Sequence, residues 1–128
     1  MISEGADILL PVAGQAGLGA DRAAQKAGHV LLVGVDTDQF VTAPEFGPLW
    51  LTSIVERYDL EVENAMRRVV EGRFRGGVAW GNLNNGGVAL APFHELAGAV
   101  PKALKAELDD LRAGIVDGSV RVGWNYYL

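Results

Sequence analysis

Cysteine is absent from the 128 residues of this sequence. A chain without thiols forms no disulfide, offers no cysteine nucleophile and cannot hold zinc through thiolates, although this absence does not decide the cellular compartment. Long apolar runs are missing too, because no stretch approaches the roughly 18 consecutive apolar residues of a membrane-spanning helix. We also expect no signal peptide in these residues, since Met1 stands almost directly before a strand-like run.

Positive charge is scarce, with 11 Lys and Arg against 16 Asp and Glu and a formal net charge of -5. No basic run exists to pair with phosphates, so nucleic acid is not an expected partner. Signatures of catalysis are also missing. His29 and His94 fall in different kinds of segment, and no Gly-x-Ser-x-Gly elbow surrounds Ser3, Ser53 or Ser119. We therefore expect a protein that is not an enzyme and has no metal site or cofactor.

Apolar segments of strand length alternate with helical patterns in the first third of the chain. An apolar run over 6–13 leads into a glycine-rich turn over 14–19, a helix over 20–27 that Gly28 ends, and a second strand over 30–35. Continuously apolar strands are typical of parallel sheets that are covered on both faces. This order predicts a right-handed βαβ unit, and so an α/β domain with a parallel sheet and flanking helices.

The middle of the chain predicts a loop over 36–48, a third strand over 49–55 and a helix over 59–71 with Asp59 as its N-cap. Acidic residues near the start of this helix and basic residues near its end suit the helix dipole. Its apolar residues recur at helical spacing, which predicts a buried stripe. The members of this stripe are Val62, Ala65, Met66, Val69 and Val70.

The last third contains one turn signal and one further helix. An Asn-Gly pair at 85–86 lies between short apolar segments at 77–81 and 87–91, which predicts a β-hairpin. A helix is predicted over 101–113 from its repeated leucines, and a short final strand over 119–122.

A ligand crevice is predicted where the first two strands end. Gly14 and Gly17 follow the first strand and Asp36 ends the second, and ligands of open α/β sheets bind just beyond the carboxyl ends of the strands. Glycine lets the backbone approach a ligand closely, and the following helix N-terminus offers free N–H donors. An aspartate there can accept hydrogen bonds from vicinal hydroxyls such as those of a ribose. A βαβ turn that needs glycine for its geometry alone explains the same loop equally well.

The glycine loop also allows a nucleotide-binding enzyme, but as a weaker alternative to a binding protein. The glycine loop reads Gly-x-x-Gly-x-Gly, which differs from the Gly-x-Gly-x-x-Gly fingerprint of dinucleotide-binding folds, although an acid does follow at Asp36. The rest of the chain also lacks a second set of βα units. A small Rossmann-like nucleotide-binding enzyme and a stand-alone interaction module therefore remain as alternatives.

Six segments, in this order and spacing, resemble one family. They read Gly-Ala-Asp-Ile at 5–8, Val-Ala-Gly at 12–14, Gly-Leu-Gly at 17–19, Val-Gly-Val-Asp-Thr-Asp-Gln at 33–39, Leu-Thr-Ser at 51–53 and Gly-Gly-Val-Ala-Leu-Ala-Pro-Phe at 86–93. From about Gly5 to Val122 the pattern resembles the basic membrane protein family of ABC-transporter substrate-binding lipoproteins, of the nucleoside-binding type.

The resemblance implies a type I periplasmic-binding-protein fold, in which two α/β lobes joined by hinge strands hold a nucleoside between them. It implies binding outside the cytoplasmic membrane, in the periplasm or on a lipid-anchored protein, and delivery to an ABC-transporter permease. Residues 1–128 then form the C-terminal part of such a protein, mostly its second lobe, without the first lobe. The helix face left without that lobe is expected to fold back on its own sheet or to pair with another copy.

The resemblance also assigns ligand-binding roles. Gly14 and Gly17 lie in the family's ligand-facing glycine turn, and Asp36, with Asp38 beside it, corresponds to the aspartate that holds the ribose hydroxyls. The family has a lysine in a Ser-x-x-Lys-x-x-Asp pattern, and Glu56 stands in that place here. Because an anion replaces a cation, specificity for purine nucleosides does not carry over, and Glu56 is expected to influence the choice of ligand.

Overall fold

A computed structural model describes residues 1–123, so the aromatic segment 124–128 lies outside the described residues. The fold of the described residues is mixed α/β, as predicted, around a four-stranded sheet in which the strands follow their sequence order. The first three strands are parallel, and the fourth pairs antiparallel with the third. The strands are β1 (Ile8–Leu9), β2 (Leu31–Asp36), β3 (Trp50–Glu56) and β4 (Val88–Leu90).

Within residues 1–123, four α-helices and four 3-10 helices connect and flank the strands. The α-helices are α1 (Leu18–Ala27), α2 (Gln39–Thr42), α3 (Tyr58–Val70) and α4 (Lys102–Asp117). The 3-10 helices span Ile2–Glu4, Gly14–Gly17, Pro44–Leu49 and His94–Gly98. The segment 36–48, predicted as loop, therefore contains α2 and most of a 3-10 helix. None of the helices within 1–123 is long and apolar enough to cross a membrane.

The predicted βαβ unit is present, but its first strand is much shorter than the predicted 6–13. Pro11 has no N–H to donate to a ladder, and the chain turns there through hydrogen bonds from Val12 N to Leu10 O and from Ala13 N to Pro11 O. Helix α1 ends where predicted, at Gly28, which adopts a left-handed conformation with φ 75°. The second strand is shifted by only one residue from the prediction.

The core lies between α1, the sheet and the 3-10 helix Pro44–Leu49. Trp50 at the start of β3 is its largest fully buried side chain, and its indole N–H donates to Ala43 O at 3.1 Å. The Phe46 ring meets the Trp50 ring edge-on at a centroid distance of 6.5 Å. The buried cluster consists of Leu9, Ala24, Val30, Leu32, Phe46 and Trp50. This packing fixes β1, β2 and β3 relative to one another.

Helix α3 begins earlier than predicted and its apolar stripe is exposed. Arg57, not Asp59, is the N-cap residue. No residue of α3 is buried, and Met66 and Val70 are 64% and 87% exposed. The prediction of a buried stripe is therefore wrong for these 123 residues. The amphipathic pattern is real, but the larger side chains of that face are mostly exposed in the described part of the chain.

The predicted hairpin does not form, because β4 pairs with β3 and the segment 77–81 is not a strand. The Asn-rich turn itself exists. The Asn82 carboxamide oxygen accepts hydrogen bonds from the backbone N–H groups of Asn84 and Asn85, at 2.9 and 3.0 Å. After this turn, β4 pairs with β3. The backbone N–H of Arg57 donates to Gly87 O at 2.9 Å, just beyond the paired residues of the two strands.

The last helix is longer than predicted, and no strand follows it over 119–122. Helix α4 continues to Asp117 and ends at Gly118, which is left-handed with φ 82°. The chain then folds back on the helix end, because Val120 N donates to Gly114 O at 2.8 Å. A backbone used for this cap is not available for strand pairing.

One buried carboxylate oxygen among residues 1–123 has no hydrogen-bond partner. Asp21 in α1 is only 2% exposed, and its Oδ1 has no hydrogen-bond partner. Burial, and secondarily the negative charge of Glu45, raise the pKa of the Asp21 carboxyl. A raised pKa in the folded state means that the ionised carboxylate costs stability above that pKa and costs nothing below the unfolded value.

We expect Asp21→Asn to stabilise the chain at pH 7 by roughly 1 kcal/mol, a typical size for a point substitution, because it removes the negative charge that burial and Glu45 disfavour. The gain should fall as the pH falls through the window between the folded and unfolded pKa values, and vanish near pH 3. Urea unfolding at several pH values measures it. Asp117→Asn is the control of opposite sign, because hydrogen bonds from Ser119 lower the pKa of Asp117. Equal effects of Asp21→Asn at pH 7 and pH 3 contradict this reading.

Candidate functional site

The parallel pairing of the first three strands gathers the predicted site residues at one edge of the sheet. β1 pairs with β2 in the register Leu9↔Leu32, and β2 pairs with β3 in the register Asp36↔Val55. The turn Gly14–Gly17 follows β1, Asp36 ends β2 and Glu56 ends β3. All three therefore lie at the carboxyl edge, where α/β folds bind ligands.

The two glycines of the turn have different physical roles. Gly14 has φ 51°, a left-handed conformation, and no atom lies within 4 Å of where a Cβ would be. Its backbone is exposed and open to close approach by a ligand. Gly17 is buried, and a Cβ there would lie 3.3 Å from the Pro11 carbonyl oxygen. Gly17 therefore serves packing beneath the start of α1, whereas Gly14 leaves the backbone accessible.

Asp36 combines a strained backbone with an uncommitted carboxylate. Its φ is 68°, and His94, with φ 39°, is the other non-glycine residue of positive φ within 1–123. The left-handed conformation costs an L-residue about 1–2 kcal/mol, and such outliers concentrate at functional sites. The side chain is exposed, and no hydrogen bond or ion pair joins it to any described residue. Its lone pairs are thus free to accept hydrogen bonds from a ligand.

Asp38, also predicted as a site residue, is already occupied. Its Oδ1 accepts a hydrogen bond from Phe40 N at 3.2 Å and so caps α2. Its Oδ2 lies 2.8 Å from Nε2 of His94, whose ring stacks on Phe40 with centroids 4.1 Å apart and planes 8° apart. Asp38 is therefore a structural member of the edge, and Asp36 is the open one.

A second set of contacts holds the loop after β2 and was missed by the sequence analysis. Ser53, buried in β3, accepts a hydrogen bond from Gln39 N at 3.1 Å, and Gln39 Nε2 donates to Val35 O at 3.1 Å. Gly34 faces this arrangement, and a Cβ there would collide with the Ser53 hydroxyl. All of these residues lie in the segments 33–39 and 51–53, which carry the family resemblance. That resemblance was the only sequence feature that pointed to them.

Glu56 is exposed at the end of β3, and its carboxylate accepts a hydrogen bond from the Tyr58 hydroxyl. The neighbouring Arg57 does not offset this charge, because it pairs with Asp59 at 2.8 Å. The bond from Arg57 lowers the pKa of Asp59. Asp36 and Glu56 thus leave two anionic groups at the ends of adjacent strands, which favours a ligand that donates hydrogen bonds.

Two of the surface cavities in the described part of the chain lie away from this edge. One, of about 560 Å³, lies between α3 and the segment 73–85 and is lined by charged residues and Trp80. The other, of about 590 Å³, is a mainly apolar groove between β4 and α4. Neither includes Gly14, Asp36 or Glu56 in its lining. The carboxyl edge therefore lies outside both of these cavities.

The comparisons with known proteins agree with this architecture. At the level of sequence, the chain is 30% identical over 136 residues to a CD4+ T-cell-stimulating antigen of Listeria monocytogenes, covering 95% of this chain and 37% of that protein. The chain therefore spans under two fifths of that relative's length.

Solved structures share the fold at lower identity. A protein described as a transcriptional activator of the comK gene from Bacillus halodurans matches with TM-score 0.76 and 22% identity, over 93% of this chain and 40% of that one. An ABC transporter solute-binding protein from Aeropyrum pernix matches with TM-score 0.72 and 24% identity, over 99% of this chain and 43% of that one. A third, from Conexibacter woesei, matches with TM-score 0.70 and 24% identity, over 94% and 38% of the two chains.

The family assignment rests on a match over nearly the whole chain. Residues 1–122 match the family model Bmp, described as ABC transporter substrate-binding protein PnrA-like. The match includes every strand and helix of the described structure. The chain belongs to the Bmp family of PnrA-like ABC transporter substrate-binding proteins.

Proposed function

We propose that this chain is the C-terminal part of a binding protein that captures a nucleoside outside the cytoplasmic membrane and delivers it to an ABC-transporter permease. The observation that carries the proposal is the free Asp36 carboxylate at the carboxyl edge, one strand away from the open backbone of Gly14. Family membership supports a small solute as the ligand and a transporter as the partner.

The chemistry of the edge favours a nucleoside over a nucleotide. A carboxylate with free lone pairs accepts two hydrogen bonds from the vicinal hydroxyls of a ribose. Asp36 and Glu56 both repel phosphate, and no cation among the described residues pairs with either of them. A pyrophosphate, as a dinucleotide enzyme binds, would meet two anions here. The acidic edge and the antiparallel β4, which replaces a second mononucleotide half, make the Rossmann-like enzyme the weaker candidate.

In this proposed function, the opposite wall of the site belongs to a part of the protein beyond these residues. This chain covers about two fifths of the solved structures that it resembles. Two-lobed binders close on their ligand by a hinge, so half of the contacts and the exclusion of water come from the second wall. We therefore infer that the whole protein is a two-lobed extracytoplasmic or lipid-anchored binder, and that this chain alone binds its ligand weakly.

The exposed stripe of α3 supports the same view. The apolar face of α3 is mostly exposed in the described chain, and its large side chains are Val62, Met66, Val69 and Val70. Contiguous exposed apolar patches mark interaction surfaces. We propose that the other lobe covers this face in the whole protein, and that two copies pair through it when that lobe is missing.

Asp36→Asn should weaken nucleoside binding by about 1.5–3 kcal/mol, the worth of a hydrogen bond to a charged group. NMR titration with adenosine and guanosine measures the dissociation constants, including the millimolar values expected of this chain. Asp110→Asn, at an exposed position of α4, is the control for loss of one negative charge and should leave binding unchanged. An unchanged dissociation constant for Asp36→Asn, or binding of NAD or ATP in place of nucleosides, contradicts the proposal.

Glu56→Lys should change the order in which nucleosides are preferred, because it restores the cation that the family has at this position. Titration of the parent and the variant with a panel of purine and pyrimidine nucleosides gives the two rankings. Glu107→Lys, at an exposed position of α4, makes the same change of charge on an element outside the carboxyl edge. If both variants keep the parent's ranking, Glu56 has no part in ligand choice.

The chain should self-associate as its concentration rises, and Val62→Lys with Met66→Lys should make it monomeric. Each apolar side chain that is covered contributes about 1.5–3 kcal/mol, and a lysine in its place removes that gain. Sizing chromatography with light scattering measures the mass. Val116→Lys, a partly exposed apolar position on α4, is the matched control. A parent chain that stays monomeric and binds a nucleoside with micromolar affinity would show that it is self-sufficient.

A further inference from the structure

The two left-handed non-glycine positions of the described chain are linked to each other. Asp36 ends β2, and His94 begins the 3-10 helix after β4. Two residues beyond Asp36, the Asp38 carboxylate receives the hydrogen bond from His94 Nε2 at 2.8 Å. A strained backbone persists only when its surroundings hold it. The contact from His94 is therefore a candidate for what holds the backbone at Asp36.

The geometry of this contact is specific. A carboxylate oxygen only accepts hydrogen bonds, so Nε2 of His94 is the donor, whether the imidazole is neutral or protonated. The pair is shielded, with His94 22% and Asp38 26% exposed. The His94 ring also lies flat on the Phe40 ring, so its orientation is fixed from a second direction. The donor is thus held in place before it meets Asp38.

The loop between Asp36 and α2 has one anchor on each side. On the β3 side, Ser53 accepts from Gln39 N. On the β4 side, His94 donates to Asp38, across 56 residues of sequence. Thr37 N closes the loop on β2 itself, through a hydrogen bond of 2.8 Å to Val35 O. Without His94, the anchor from the β4 side is lost and the Asp38 carboxylate is left partly shielded with no side-chain donor.

We propose that His94 is a positioning residue for the solute site: its bond to Asp38 and its stacking on Phe40 hold Asp36 in the left-handed conformation that presents the free carboxylate. The inference rests on the proposed function for the role of Asp36 in binding. The conformational part stands on the geometry alone. His94 does not contact the ligand and acts only through Asp38 and Asp36.

A ligand-free measurement tests the conformational part. In His94→Ala, the amide hydrogens of Thr37 and Gln39 should exchange about tenfold faster, since a hydrogen bond to a charged group is worth at least that factor. His94→Gln should preserve slow exchange, because its amide N–H reaches a position close to that of Nε2, whereas the shorter His94→Asn should not. His29→Ala, which removes the other, exposed histidine, is the control. If the alanine variant does not fold, the Gln and Asn variants make the same comparison.

A double-mutant cycle tests the link to binding. If His94 acts through Asp36, His94→Ala weakens nucleoside binding about tenfold in the parent, the scale of a hydrogen bond to a charged group, but has little further effect in Asp36→Asn. Additive losses, or parent-like binding and exchange in His94→Ala, overturn the inference. A result in which Asp36→Asn itself leaves binding unchanged overturns the proposed function instead, and the exchange data then decide the positioning role separately.

Discussion

Parallel pairing of β2 with both β1 and β3 is the constraint on which the candidate site depends. Parallel strands end at the same edge of a sheet, so three segments far apart in sequence deliver their final residues to one place. The core around Trp50 keeps those strands in register, and α1 returns the chain from the end of β1 to the start of β2. The turn at Gly14 and the carboxylates of Asp36 and Glu56 follow from that arrangement.

Sequence patterns correctly predicted features that can be recognised within a single segment. The apolar run of β2, the stop at Gly28 and the amphipathic repeat of α3 are all visible in single segments. Two of the errors, the hairpin and the final strand, came from competition between possible backbone partners. β4 could pair with the segment 77–81 or with β3, and it pairs with β3. The backbone after α4 caps that helix and does not form a strand. Such choices depend on tertiary contacts that no short pattern encodes.

The candidate site divides in the same way. The position of Asp36 at the end of a parallel strand could be predicted from the order of the elements. Its left-handed backbone and its unpaired carboxylate are known only from the structure. The pairing of Asp38 with His94 could not be read from spacing, because the two residues belong to unrelated elements. The stripe of α3 is a third case. Helical spacing indicates that a face is meant to be covered, but it does not identify the surface that covers it.

The most direct test of solute binding at the carboxyl edge is to map where a nucleoside perturbs the chain. Adenosine titrated into the 15N-labelled protein should produce its largest amide shift changes in the turn Gly14–Gly17 and in the loop after Asp36. Amides that line the groove between β4 and α4, or the cavity beside α3, should change little. Largest changes in either of those cavities, with the carboxyl edge unperturbed, would contradict the assignment of the ligand to this edge.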